Sequence, residues 1–162
     1  MKKLLAFTVV SAFFLPSPSM GAETAIGTGT VKAEIIARIS IIENRPMNFG
    51  KIISSAVGGT VALAHNGTIT TTLNHKPGTQ QQGLFTIGGQ ANTPVTISFP
   101  PSVTISNGSS TMTVDNFVHN AGPTPLIGGG GETTLRAGAT LNVGNSQPKG
   151  VYTGTYTLIV NY

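Results

Sequence analysis

The chain has no cysteine and no tryptophan, so it has neither a disulfide framework nor a thiol nucleophile. Charge is scarce too. Charged residues make up 9% of the 162 positions, and the only acids are Glu23, Glu34, Glu43, Asp115 and Glu132, which leaves almost no material for the paired carboxylates of a glycosidase or for acid–base work. A formal charge of +4, falling to +2 without Lys2 and Lys3, is too weak a field to imply nucleic acid. His65, His75 and His119 show no metal-ligand spacing and read as loop or surface residues. No serine sits in a Gly-x-Ser-x-Gly elbow, and Gly128-Gly-Gly-Gly131 lacks the Lys-Ser/Thr of a phosphate cradle. The expectation is a non-enzyme that uses no metal or cofactor.

Long apolar runs are also missing, with one exception. Residues 4–15 form an apolar stretch after Met1-Lys-Lys3, closed by Pro16-Ser-Pro18 and followed by the small residues of Ser19-Met-Gly-Ala22. This is the pattern of a removable secretory signal cleaved after Ala22. It is too short for a membrane span of roughly 20 residues, and no later segment approaches one. The chain then divides into a signal peptide over 1–22, an N-terminal extension or candidate donor strand over 23–33, and a single domain over 34–162. About 140 mature residues can bury roughly two-thirds of their unfolded surface without staples. Zero cysteine in an exported chain therefore reads as disulfides dispensed with, not as a cytosolic address.

What is abundant is Thr, Gly, Val and Ile, with no 3.6-residue apolar period. The fold class expected is all-β, a sandwich or barrel of antiparallel strands. The strongest strand pattern covers residues 31–41, where Val31, Ala33, Ile35, Ala37, Ile39 and Ile41 share a face. Further strands are expected at 48–53, 59–64, 68–73, 84–87, 94–99, 103–106, 111–118, 133–136, 140–143 and 151–161. Asn66-Gly67 and Asn107-Gly108 fit two-residue type I′ turns, the second pairing Ser106 with Ser109 and Val103 with Met112. These turns also account for two glycosylation-like triplets, Asn66-Gly-Thr68 and Asn107-Gly-Ser109. Asp115-Asn116 reads as a bulge or strand end. Residues 119–132, with Pro123, Pro125 and four glycines in a row, are the expected flexible or binding loop.

The closing segment Gly150-Val-Tyr-Thr-Gly-Thr-Tyr-Thr-Leu-Ile-Val-Asn-Tyr162 alternates Tyr152, Tyr156, Leu158, Val160 and Tyr162 on one face and is a candidate assembly strand. Together with Met47-Asn-Phe-Gly-Lys-Ile-Ile53, Gly59-Thr-Val-Ala-Leu63, Thr111-Met-Thr-Val-Asp-Asn-Phe117 and Ala139-Thr-Leu-Asn-Val-Gly144, it resembles a family of secreted bacterial proteins. That family is known chiefly as a domain of unknown function and is similar to pilins. The closing pattern is also similar to subunits of chaperone–usher fimbriae.

The resemblance implies an immunoglobulin-like sandwich lacking one strand, filled first by a periplasmic chaperone and then by the N-terminal strand of another subunit. It implies the outer-membrane usher as a further partner, and the surface of a Gram-negative bacterium, in a fimbrium that supports adhesion, as the destination. The donor face would be Ala25, Gly27, Gly29, Val31 and Ala33. The chain departs from the better-known fimbrial pattern in lacking a cysteine pair, in ending on Tyr162 rather than carrying tyrosine one place earlier, and in having few bulky donor side chains. The expected function is a structural subunit of a fimbria or pilus-like fibre whose partners are copies of itself or related subunits. The alternative is a monomeric exported β-sandwich binding module or adhesin.

Overall fold

The computed structural model describes Gly21 and residues 23–162; the expected signal segment and the Ala22 cleavage site lie outside the described residues. Residues 23–34 carry no regular secondary structure and are exposed. The unit Ile35–Tyr162 holds eleven strands, and no helix occurs among the described residues. The strands are β1 (Ser40–Arg45), β2 (Lys51–Ile52), β3 (Gly59–Leu63), β4 (Ile69–Thr71), β5 (His75–Lys76), β6 (Gly83–Gly88), β7 (Thr96–Ser98), β8 (Ser102–Ser106), β9 (Thr111–His119), β10 (Glu132–Val143) and β11 (Ile159–Asn161). All pairings are antiparallel, so the protein is all-β as its composition implies.

Strand β10 organises a curled seven-stranded sheet. Ala137 pairs with both Gly83 and His119, and Leu141 with both Val61 and Val114. A residue with two partners has one on each edge, so β9 lines one edge of β10 while β6 and then β3 share the other. Beyond them, β1 extends β6, β4 extends β3 and β8 extends β9. The handover from β6 to β3 falls at Gly138.

One face of β10 is buried along its length. Leu135 and Ala137 join Phe85, Ile87, Val95, Ile127 and Val160 in one cluster, and Ala139 and Leu141 join Val61 and Val114 in a second. Met47 touches both clusters. Four residues at period two on a single strand thus tie the two halves of the core together. The sequence pattern suggests two strands, at 133–136 and 140–143. In the structure Gly138 lets one strand run through.

Local expectations are corrected at four further places. The strand expected over 31–41 forms a ladder only from Ser40, which pairs with Gly88, the last residue of β6; among the described residues the ladder of β1 extends no earlier. Neither Asn-Gly pair makes a type I′ turn, since Gly67 and Gly108 have positive φ but Asn66 and Asn107 do not. At the first, Gly67 N–H donates to Ala64 O, a turn followed by a left-handed glycine. At the second, the Asn107 Oδ1 accepts from the backbone N–H groups of Ser109 and Ser110, opening a four-residue loop. Ser106 therefore faces Thr111, Ile105 faces Met112 and Val103 faces Val114. The offset of two residues leaves every apolar side chain on the face expected for it.

The loop over 119–132 is tied down rather than slack. Ile127 is fully buried and exchanges backbone bonds with residues 92 and 93, and Val95 N–H donates to Pro125 O at 2.9 Å. The fourth correction concerns residues 151–161, where only Ile159–Asn161 forms a ladder, with β7. At Asp115-Asn116 the structure has the bulge: Gly138 pairs with Val118 and Thr140 with Asp115, so Asn116 and Phe117 oppose the single residue Ala139, with Asn116 at φ +48°.

Candidate functional site

The segment 151–158 is a strand by its side chains and not by its hydrogen bonds. Tyr152, Tyr156 and Leu158 turn inward and are partly buried, Val160 is buried, and the odd-numbered residues between are exposed. Among the described residues of this segment only Thr153 bonds its backbone to another backbone group, exchanging two 2.9 Å bonds with Ser106. Backbone groups of an extended chain point alternately to its two edges, so those of Tyr152 and Gly154 point away from Ser106.

They point into an apolar groove of about 630 Å³. Residues 147–156 form one wall and residues 46–54 the other, and the floor is Val103, Ile105, Met112, Val114, Leu141 and Val143 from β8, β9 and β10. The wall 46–54 is itself paired on its far side, through Asn48 to Gln81 and through β2 to β5. At one end the walls are joined, because Ser54 Oγ donates to Gln147 O and Ser146 N–H to Ser55 O, both at 2.9 Å. At the other end Met47 and Tyr156 both pack on the first core cluster. The walls therefore run antiparallel, about 30 Å long at roughly 3.3 Å per residue. Floor and walls supply apolar contact and one open backbone edge, the complement of an extended peptide rather than of a compact molecule.

An aromatic group gathers around Tyr156 at this second end of the groove. Tyr156 lies 5.2 Å from Phe117 and edge-on to Phe85 at 6.2 Å, and Phe99 stacks on Phe117 at 5.4 Å. The Tyr156 hydroxyl is buried and has no hydrogen-bond partner among the described residues. Burial first, and Glu43 second, push its pKa up to about 12. His119 stacks on Phe99 and accepts from Ala121 N–H at Nδ1, and burial, aided by His65, lowers its pKa. His65 sits in the turn after β3 and His75 in β5.

The residues singled out from sequence fall in two places. Tyr156, Leu158 and Val160 pack on the first core cluster, whereas Tyr152 stands on the groove wall with its hydroxyl donating to Pro148 O at 2.7 Å and accepting from Gln147 Nε2 at 2.9 Å. Tyr162 is half exposed, but its hydroxyl accepts from Gln90 N–H at 2.7 Å and donates to Ala37 O at 2.5 Å. Ala37 is further held by a bond from its N–H to Gln90 Oε1. Ala25, Gly27, Gly29, Val31 and Ala33 are exposed, with Val31 at 99% and the neighbouring Ile35 at 98%. Sequence reading missed the groove floor and the wall 46–54. The signal for the floor was present in the Val103/Ile105 and Met112/Val114 alternation; nothing local marks it as open.

The family model described as "Domain of unknown function (DUF4402)" matches residues 39–162. No curated protein and no solved structure matches the chain.

Proposed function

The chain therefore belongs to that family of unknown function, and we propose that it is the structural subunit of a fimbria or pilus-like surface fibre that assembles by β-strand addition. On this reading the fold is an immunoglobulin-like sandwich lacking one strand. The curled sheet is one layer, and the second layer is interrupted between residues 46–54 and 147–156. Residues 23–36 of one copy complete the layer in the next, presenting Val31 and Ile35 to the floor. The observation that carries this is the segment 151–158, strand-like in its burial and unpaired along the groove.

Burying Val31 and Ile35 contributes about 3–6 kcal/mol in total. Ordering the segment costs about 1–2 kcal/mol per residue, so the backbone ladder along the wall is needed as well. Such a contact is head-to-tail and does not close on itself, which yields a filament. An apolar groove with an open edge invites wrong pairing until it is filled. This favours a chaperone that covers it during export through the periplasm of a Gram-negative cell and an usher that exchanges the cover for the next subunit. Adhesion at the cell surface is then the property of the fibre.

The test compares the chain starting at Glu23 with one lacking residues 23–32, by mass in solution and on SDS gels. SDS-resistant oligomers that vanish on truncation, with the truncated chain capturing an added 23–36 peptide, are the expected result. A monomer indifferent to truncation would instead support a self-contained binding module.

A further inference from the structure

We propose that charge sets the polarity of the inserted strand: Lys51 and Lys149, one on each wall near the joined end of the groove, receive Glu34 of a second copy. The proposal rests on the strand-addition reading and specifies its direction. No Asp or Glu lines the groove, whereas Lys51 and Lys149 do. Both are exposed, three residues before Ser54 and two after Gln147, the residues whose bond joins the walls. Lys51 also lies directly opposite Lys76 across β2 and β5, and like charges so placed repel. An incoming carboxylate relieves that repulsion.

Two of the five acids in the chain, Glu23 and Glu34, fall in the exposed N-terminal segment. They stand about 36 Å apart when extended, more than the length of the groove, so only one can reach the lysines. The walls are antiparallel, so an inserted strand runs antiparallel to one and parallel to the other. The wall 147–156 has the longer open edge, from Gly150 to Tyr156, since Pro148 lacks an N–H and its carbonyl accepts from the Tyr152 hydroxyl at 2.7 Å; the wall 46–54 is broken at Gly50, whose φ is +80°. Antiparallel pairing is the more stable of the two and belongs on the longer edge. That choice brings Glu34 beside Lys149 and sends the lower-numbered end of the segment toward Tyr156. It also fits the side chains. With Val31, Ala33 and Ile35 on the floor beside Ile105, Met112 and Val143, Glu34 turns outward between the outward side chains of the walls.

The absence of cysteine makes the register directly readable. In full chains that keep Lys51, Lys149 and Glu34, Val151→Cys is mixed with either Lys32→Cys or Ala25→Cys, allowed to assemble, and oxidised mildly. Antiparallel insertion places position 32 opposite 151, within disulfide reach. Insertion the other way round places position 25 there. A 32–151 cross-link without a 25–151 one is expected. In addition, Lys149→Glu slows assembly at low salt by about fivefold, the equivalent of an exposed ion pair worth about 1 kcal/mol. Glu34→Lys in the same chain restores the rate, and added salt removes both effects.

A 25–151 cross-link would overturn the polarity and leave strand addition standing. Oligomers with neither cross-link would overturn the lysine contact and its register. Failure of the unsubstituted chain to form any oligomer would sink the strand-addition reading itself and this proposal with it.

Discussion

Replacing Gly138 by alanine should cost more than almost any other single methyl group in this protein. A Cβ built at Gly138 lies 2.1 Å from Leu63 O, 2.7 Å from Ala64 C and 2.9 Å from His65 N. All three are backbone atoms of the chain leaving β3, so no flexible side chain can swing aside. To reach ordinary contact at 3.4 Å the Leu63 carbonyl must retreat by more than 1 Å. Leu63 pairs with Ala139 and is almost fully buried, as is Val61 two residues earlier. Overpacking a rigid core costs about 1–3 kcal/mol, with the upper end appropriate here. A ladder bond weakened at the β3–β10 junction adds about 1 kcal/mol. Lower unfolded-state entropy returns about 0.5–1 kcal/mol. The net loss is about 3 kcal/mol, or about 10 °C in Tm for a chain of this size. Thermal unfolding followed by far-UV circular dichroism measures it, with Gly130→Ala as the control, since its Cβ meets nothing within 4 Å. A Gly138→Ala chain melting within about 2 °C of the parent would refute both the close approach and the single continuous β10.

Other outcomes are equally specific. Tyr156→Phe removes a buried hydroxyl that has no partner among the described residues and should raise stability by about 1 kcal/mol in a neutral-pH melt. Because the folded pKa of Tyr156 stands at about 12 against an ordinary 10, the native state holds its proton more tightly. The contribution of Tyr156 to stability is therefore flat below pH 10 and falls between pH 10 and 12; urea titrations should show this fall reduced in the Phe variant. Tyr162→Phe breaks the bonds to Gln90 and Ala37 and should cost about 1–2 kcal/mol, with faster hydrogen exchange at the Gln90 amide. Val31→Asp and Ile35→Asp alter residues that are almost wholly exposed, so each should leave the monomer melt within about 0.5 kcal/mol of the parent. Both should abolish oligomers on SDS gels.

The sequence made the class legible because strand side chains alternate, and alternation survives wherever the partner strand happens to be. The sites of β3, β4, β6, β7, β8 and β9 could be read within a residue or two for that reason. Pairing was harder to read. The strong pattern at 31–41 says only that a strand with one apolar face would be stable on a partner, and within this chain β6 stops at Gly88, level with Ser40. The same holds for 151–158, where the pattern is that of a strand but, among the described residues, only Thr153 finds a backbone partner. Turn chemistry misled differently. Asn107 uses its side chain to bond the loop backbone rather than adopting positive φ itself, a choice that the Asn-Gly dipeptide leaves open. Ile127 went unread as core because it lies among prolines and glycines, where no period exists to mark it. The groove is a property of two walls about a hundred residues apart in sequence, and no local pattern encodes it.

On the strand-addition proposal the edge of 151–158 is open in one copy and closed by another. Amide hydrogen exchange at Tyr152 and Gly154, followed in monomer and in assembled oligomer, tests it most directly. Strand addition requires fast exchange at both amides in the monomer and protection rising by at least about 100-fold on assembly, while the core amides of Leu135 and Leu141 stay protected throughout. Amides at 152 and 154 that are already protected in the monomer, or that remain fast in the oligomer, would contradict it.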